Sequence, residues 1–276
     1  MKLLDKLHYD KLIEPLKQVA INHLFARSVI EKGISGSVFV DDLNNPKTFY
    51  IKHSYGMTLL FGNSDNEIFN RSFKEHALNV NNTRDSFEWM QAFPNDWDNV
   101  LSDLFGDKLL KSSENNTKIE TGIIELNTRV NFKFNKDEYL KLKPKSESSG
   151  ISIVRTDRQI FRDMKGSVIP FYFWESEDDF LENGIGFSLL YNGNLASTAY
   201  SAFIQGDQFE IGIETVEAYR GKGFAEQVCA SIIDYCIENN YEPIWACRLE
   251  NIGSYKLAQK LGFIPSLEIP YYRLSK

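Results

Sequence analysis

The stretch from Gln208 to Ile237 constrains the fold of this chain more than any other. It opens with QFEIGIETV, rich in β-branched and aromatic residues and bounded by turn residues, as a strand should be. It then passes through YRGKGFA and enters a helical pattern. Ala225, Val228, Cys229, Ile232, Cys236 and Ile237 stand at i, +3, +4, +7, +11 and +12, one face of an amphipathic helix. The first turn of such a helix has backbone N–H groups without internal partners, and the helix dipole adds partial positive charge there. Gly221 and Gly223 permit unusual φ values and close approach, while Arg220 and Lys222 add full charge. Phosphate is a natural ligand for such a terminus. A glycine-rich turn before a helix is also often only a turn, so the loop alone does not decide. The P-loop pattern and the GxGxxG dinucleotide fingerprint are both absent, which removes two nucleotide classes.

The elements around this stretch predict an α/β chain of the α+β kind. In the C-terminal half, SGISIVRTD reads as a strand, and DRQIFRDM and SEDDFLENGIG read as helices, the second stopped at Gly184. GFSLLYNGNLASTAYSAF gives two strands around Asn192-Gly193-Asn194, a strong hairpin signal. After the helix come a strand, EPIWACRL, a helix, NIGSYKLAQKLGF, and a last strand at PYYRL. The expectation is a mixed, mostly antiparallel sheet with flanking helices.

The polar run KLKPKSESSG reads as a linker, so the expected domains are 1–145 and 146–276. The first domain mixes strand-like runs (SVFVDD, TFYIKH, MTLLFGN, TGIIELNTRVNFKF) with helical ones. One helical stretch breaks near Pro15 and stops at Gly33, and another is capped by Asn66. No tandem sequence repeat is visible, and no catalytic motif stands in this half.

A net charge of −7 argues against an extended nucleic-acid footprint. No apolar stretch is long enough for a membrane span, and the start MKLLDKLHYDKL is not a secretory signal. Cys229, Cys236 and Cys247 have no metal-ligand spacing and read as reduced core thiols of a cytoplasmic protein. His8, His23, His53 and His76 all lie in the first third, so catalysis in the second half requires another base.

The order hairpin, EIGIETV, YRGKGFA, helix, strand, NIGSYKLAQKLGF resembles the GCN5-related N-acetyltransferase (GNAT) superfamily. Arg220, Gly223 and Ala225 match its loop signature, and Asn251, Ser254 and Lys260 through Phe263 match its second block. FYFWESEDDFLENGIGF and GSVFVDDLNNPK extend the likeness to a two-domain bacterial subgroup similar to the zwittermicin A resistance acetyltransferases. The resemblance implies acetyl-CoA as co-substrate, with no metal. Its pyrophosphate would sit on the amides from Gly221 to Ala225, including Phe224, beside Arg220 and Lys222. Its pantetheine arm would pair with backbone of Ile213, Glu214, Thr215 and Val216 as an added strand would, and Asn251 would orient it.

Acetyl transfer to an amine calls for a base and an acid. Glu210 and Glu214, four apart on one strand, share a face, and each is a candidate base. Glu210 falls where histone-acetylating members carry a glutamate, although the linker to the loop differs by one residue. Many members place a tyrosine seven residues after the block's Asn, where this chain has Ala258; Tyr255 and Ser254 border that position and are the candidate acids. Ser254 has a second reading, as a helix cap or CoA contact, and Tyr255 as a packed aromatic. The implied acceptor is a small-molecule amine, such as an antibiotic, with the N-terminal domain shaping its pocket. A protein amine, or an acyl-CoA-binding module without catalysis, are the alternatives. A homodimer is compatible with this reading, and neither nucleic acid nor membrane is an expected partner.

Overall fold

The structure is a computed structural model of the chain and describes residues 1–112, 120–144 and 149–276. It divides into two compact units. Unit 1 comprises Met1–Val130, Arg248–Glu250 and Glu268–Lys276; unit 2 comprises Asn131–Cys247 and Asn251–Leu267.

In chain order, unit 1 opens with β1 (Lys2–Leu3), α1 (Ile13–Leu16) and α2 (Leu24–Ile30). Next come β2 (Gly36–Val40), β3 (Thr48–His53), β4 (Met57–Gly62), α3 (Glu67–Ala77), β5 (Glu88–Phe93) and α4 (Asp96–Phe105). The short β6 (Leu109–Lys111) precedes β7 (Ile124–Phe134), whose last residues belong to unit 2. Unit 2 continues with α5 (Lys136–Leu142), β8 (Ile151–Arg155), α6 (Arg158–Asp163), α7 (Glu177–Asn183), β9 (Gly186–Tyr191), β10 (Asn194–Gln205) and β11 (Gln208–Thr215). It then runs through α8 (Phe224–Glu238), β12 (Glu242–Arg248) and α9 (Ile252–Lys260) into β13 (Phe263–Leu274).

The ten elements expected after the linker all form, in the expected order. Asn192 and Gly193 both take positive φ, 50° and 79°, as a two-residue hairpin turn requires. Asn66 caps α3 by accepting the Phe69 N–H at 3.1 Å. Pro15 sits next to the last residue of α1, so the helical stretch breaks near it as expected, and in so short a helix its missing N–H has no intrahelical partner to lose. The chain leaves helical structure afterwards, before α2. α5 was not expected; it covers the first two residues of the anticipated linker, whose positions 145–148 lie outside the described residues.

The two units repeat one architecture. In unit 1 the strands β1 to β4 pair antiparallel in sequence, and β4 pairs parallel with β5. In unit 2, β8 to β11 pair antiparallel in sequence, and β11 pairs parallel with β12. Two helices follow the first strand of each set, one crosses between the fourth and fifth, and one follows the fifth. No sequence repeat betrays this likeness, because a fold of this kind needs only matching apolar periodicity, which many residue choices satisfy.

Within unit 2 the sheet has two distinct faces. Phe187 of β9 meets Tyr235 of α8 at 6.2 Å, so the odd-numbered residues of β9 face that helix. Gly186, on the other face, has Thr156 and Phe180 of α7 so close that a Cβ would stand 2.7 Å and 2.9 Å from them. Register carries this second face across to Tyr200 on β10 and Gly212 on β11.

Candidate active site

Strand β11 is paired along its whole length on one edge only. It runs against β10 from Gln208 to Thr215, with a bulge between Ser201 and Phe203 of β10. With β12, the paired residues are Gln208–Glu210 against Glu242–Ile244. The Val216 N–H donates to the Ala196 carbonyl at 3.0 Å, which fixes the alternation. Gly212, Glu214 and Val216 turn their peptide groups toward β10, and Ile213 and Thr215 turn theirs toward the β12 side. Past Glu210, Ile213 and Thr215 therefore present a peptide edge outside the β11–β12 register. Val216, expected to share in that edge, does not; its amide belongs to β10.

The edge leads into the glycine loop. Tyr219 N–H bonds the Val216 carbonyl and Arg220 N–H that of Glu217, a tight turn after the strand. Gly221 and Gly223 take φ of 76° and 77°, and Gly223 is the N-cap of α8. A Cβ at either would meet no atom within 4 Å, so the left-handed backbone, not crowding, calls for glycine. Phe224 is buried against Tyr191 (5.2 Å) and Tyr219 (6.1 Å) and anchors the helix start. The N–H groups of Phe224, Ala225 and Glu226 are those a first helical turn leaves open. Lys222 holds its ammonium over the Tyr219 and Tyr191 rings, at 5.2 and 5.8 Å. Arg220 is exposed and donates from Nε to the Thr215 carbonyl at 3.3 Å, which places its charge at the strand–loop junction.

Glu210 and Glu214 share the face of β11 turned away from α8, with Gly212 between them. The Tyr200 ring fills the space over Gly212, where a Cβ would stand 2.5 Å from the ring. The two carboxylates have different surroundings. Glu210 is buried, 6% exposed, in register with Phe203. The Oε2 of Glu214 accepts the N–H groups of Ser167 (2.9 Å) and Val168 (3.0 Å), and its Oε1 lies 3.7 Å from the Arg220 guanidinium.

Glu214 thereby fixes one end of the segment between α6 and α7. The other end is fixed by Trp174, whose indole N–H donates to the Ser201 carbonyl at 2.8 Å. Between them Phe173 packs on Tyr200 (5.8 Å) and Phe203 (5.6 Å). This arch borders a cavity of about 480 Å³ lined by Phe161, Met164, Ile169, Phe171 and Trp174, with Arg162 and the Glu177 it pairs with. Phe171 is 65% exposed, an apolar side chain presented beside the opening.

On α9, Asn251 is the helix cap, accepting the Ser254 N–H at 3.2 Å. Ser254 does not cap; its Oγ accepts the Trp245 indole N–H at 3.2 Å. Tyr255 sets its ring edge-on to Phe132 at 5.4 Å and is half-buried, and Ala258 is fully buried. The structure thus brings the two glutamates, the open edge and the glycine loop onto one strand and its continuation, while the α9 residues are tied to β7, β12 and their own helix. Tyr200, Phe173 and Trp174 were missed. The one local signal was glycine between two glutamates in EIGIE, since a strand gives up a side chain where another group lies close.

The three cysteines are buried and none is in a disulfide, as expected of core thiols. Burial pushes the Cys229 thiol up and the Cys236 thiol to about 12, which keeps both protonated and poor nucleophiles. Among the described residues no group of three His, Cys, Asp or Glu is arranged to hold a metal, and no helix is long and apolar enough to cross a membrane.

Comparison with known proteins agrees with this geometry. The GNAT acetyltransferase family matches residues 14–272, so the chain belongs to that family of acyltransferases. An uncharacterized N-acetyltransferase of Bacillus subtilis (strain 168), YdfB, is 27% identical over 250 residues, 90% of this chain and 89% of that protein. The crystal structure of a GCN5-related N-acetyltransferase-like protein from Streptococcus suis 89/1591 superimposes with a TM-score of 0.70 at 19% identity, covering 96% of this chain and 99% of that one. A tandem GNAT protein from the clavulanic acid biosynthesis pathway gives a TM-score of 0.62 at 10% identity over 99% of this chain and 97% of its own. At these identities the two structures are similar in fold alone.

Proposed function

We propose that the chain is an acetyl-CoA-dependent N-acetyltransferase that passes acetyl directly to the amine of a small molecule. The observation that carries this is the parting of β11 from β12, with a peptide edge at Ile213 and Thr215 that runs into the Gly221–Gly223 loop. An amide-bearing arm fits that edge as an added strand, and a diphosphate fits the helix start with Arg220 beside it. Bound acetyl-CoA supplies the activated acetyl group. An Ile213 or Thr215 N–H is the donor available along the edge to a developing oxyanion.

Glu210 is the base that takes the proton of the acceptor amine, because its carboxylate lies buried on the reacting face. Glu214 acts as a positioning residue, because its oxygens hold the arch. Tyr255 is the assigned proton donor to the departing thiolate, and Ser254 is tied to Trp245. The apolar cavity has the size of a small-molecule site, which favours an amine with an apolar body over a protein tail. The resemblance to zwittermicin A resistance acetyltransferases supports an antibiotic as that amine. Three buried cysteines outside any disulfide suit a cytoplasmic setting.

Acetyl-CoA at about 100 times its Kd should stabilise the protein by about 2.7 kcal/mol. A melting curve unchanged by millimolar acetyl-CoA would remove the proposal. Gly223→Ala places a Cβ on a left-handed backbone at the anion site, at a cost of roughly 1–2 kcal/mol. Its acetyl-CoA Kd by calorimetry should rise roughly tenfold, and an unchanged Kd would show that the loop does not hold the diphosphate.

Unit 1 lacks these features although it repeats the fold. β4 and β5 pair from Met57 to Phe61 against Trp89 to Phe93, with no comparable parting. Asp65 precedes α3 and Glu67 is its first residue, and the Asn66 side chain already occupies the Phe69 N–H. Calorimetry should therefore count about one acetyl-CoA per chain, since a carboxylate-flanked, side-chain-capped helix start repels a diphosphate. A count of two would contradict this.

A further inference from the structure

Unit 1 carries a second constellation that the acetyl-transfer chemistry does not use. Trp89 on β5 and Arg273 on β13 are cross-strand partners, so their side chains share a face. Arg273 lies over Phe87 at 3.9 Å and Trp89 at 5.4 Å, and Arg248 lies over Trp89 at 4.7 Å. Trp89 stacks on Tyr271 at 5.2 Å, and Arg129 lies over that ring at 5.2 Å. Three guanidiniums are thus interleaved with three aromatic rings. A carboxylate, Glu125, stands 3.3 Å from Arg273.

Arg84 of the same unit shows how a self-contained buried arginine is satisfied. Its guanidinium donates to the carbonyls of Ser275, His76 and Ala77, and Glu88 stands 3.9 Å away. The cluster differs. Arg248 reaches a neutral acceptor, Asn127 Oδ1, at 3.2 Å. The Nε of Arg273 is buried with no hydrogen-bond acceptor among the described residues. Aromatic rings cover the flat faces of these guanidiniums and leave the N–H groups to point in-plane. A buried N–H of a cation without an acceptor is costly, and a multi-oxygen anion removes that cost by taking it together with a neighbouring N–H.

We propose that this arginine–aromatic cluster is a binding site for a small oxyanion, a carboxylate or phosphate group, distinct from the glycine loop of unit 2. Arg248 and Arg273 supply the forked N–H groups. Phe87, Trp89 and Tyr271 keep those groups in plane, and Glu125 limits the site to a compact anion.

Calorimetric titration of the full chain with citrate, and separately with inorganic phosphate, tests this at constant ionic strength against sodium chloride. Saturable binding of one or both is expected, the stronger naming the preferred oxyanion. Arg273→Gln should weaken it about tenfold or more, as loss of a bidentate charge-assisted contact does. Arg248→Gln, on β12, keeps the test valid if Arg273→Gln fails to fold, with circular dichroism and melting temperature reporting integrity. Lys222→Gln should leave this binding unchanged while weakening acetyl-CoA. The proposal is overturned if neither anion binds beyond the chloride control. It is equally overturned if binding survives in folded Arg248→Gln and is lost in Lys222→Gln, which would place the anion on the glycine loop.

Discussion

Glu210→Gln should lower kcat by about 10²–10⁴ while leaving the acetyl-CoA Kd within about twofold, because a general base contributes that much and the donor binds elsewhere on the strand. The substitution keeps the shape of a buried side chain and removes its negative charge. The loss should not be recovered at saturating acceptor, since it falls on the chemical step. Glu214→Gln should behave differently. Its carboxylate holds Ser167 and Val168, so its removal loosens the arch beside the acceptor cavity and shows mainly in the acceptor KM. Tyr255→Phe should slow kcat less than Glu210→Gln, since thiolate can take a proton from water. Initial rates of thiol release over a range of acceptor concentrations separate these outcomes. A Glu210→Gln enzyme of wild-type kcat would pass the role of base to another group.

The second large effect concerns stability and lies in unit 1. Glu88 is fully buried and accepts from Tyr50 OH at 2.5 Å, Lys52 Nζ at 2.6 Å and His76 Nε2 at 3.0 Å. Burial alone would push its carboxyl up; the hydrogen bond and charge of His76 and those of Lys52 outweigh it and hold it at about 2, against an ordinary 4.5. A carboxyl lowered on folding contributes stability that is full above its unfolded pKa and is lost as pH falls through the folded one. That contribution, about 3 kcal/mol, should therefore vanish between about pH 5 and pH 2. Glu88→Gln should cost about 3–5 kcal/mol at pH 7, because it leaves Lys52 and Arg84 without their buried counter-charge. It should also flatten the acid limb of the stability curve. Urea midpoints at several pH values measure both, and parallel acid limbs in the two proteins would refute the assignment.

How much of this was legible beforehand depends on the range of the interactions. The hairpin at Asn192-Gly193, the Asn66 cap and the amphipathic face of α8 are written within a few residues, and each was readable. β5 was not, because Glu88 and Gln91 stand buried within it and spoil the apolar pattern of a strand. β13 was read only at its end, since Pro265 and Pro270 interrupt what is one strand of twelve residues. The unusual φ values at Gly221 and Gly223 could be read from residue type, whereas the partners of Glu214 could not. Glu214 meets Ser167 across 47 positions of chain, and nothing near either residue announces the partner. The duplicated architecture is likewise a property of pairing order, invisible in residue identity.

The separation of β11 from β12 also bears on what this protein avoids. An unpaired strand edge invites neighbouring chains to add themselves, and proteins usually blunt such edges with charge, bulges or cover. Here the exposed register amounts to two alternate residues, Ile213 and Thr215, closed at one end by pairing at Glu210 and at the other by the turn at Glu217–Tyr219. A foreign strand would need several consecutive pairings to hold, and this slot offers too few. The opening is too short to seed a sheet between molecules, so the geometry proposed to take a slender amide-bearing arm also limits the addition of foreign strands at this edge.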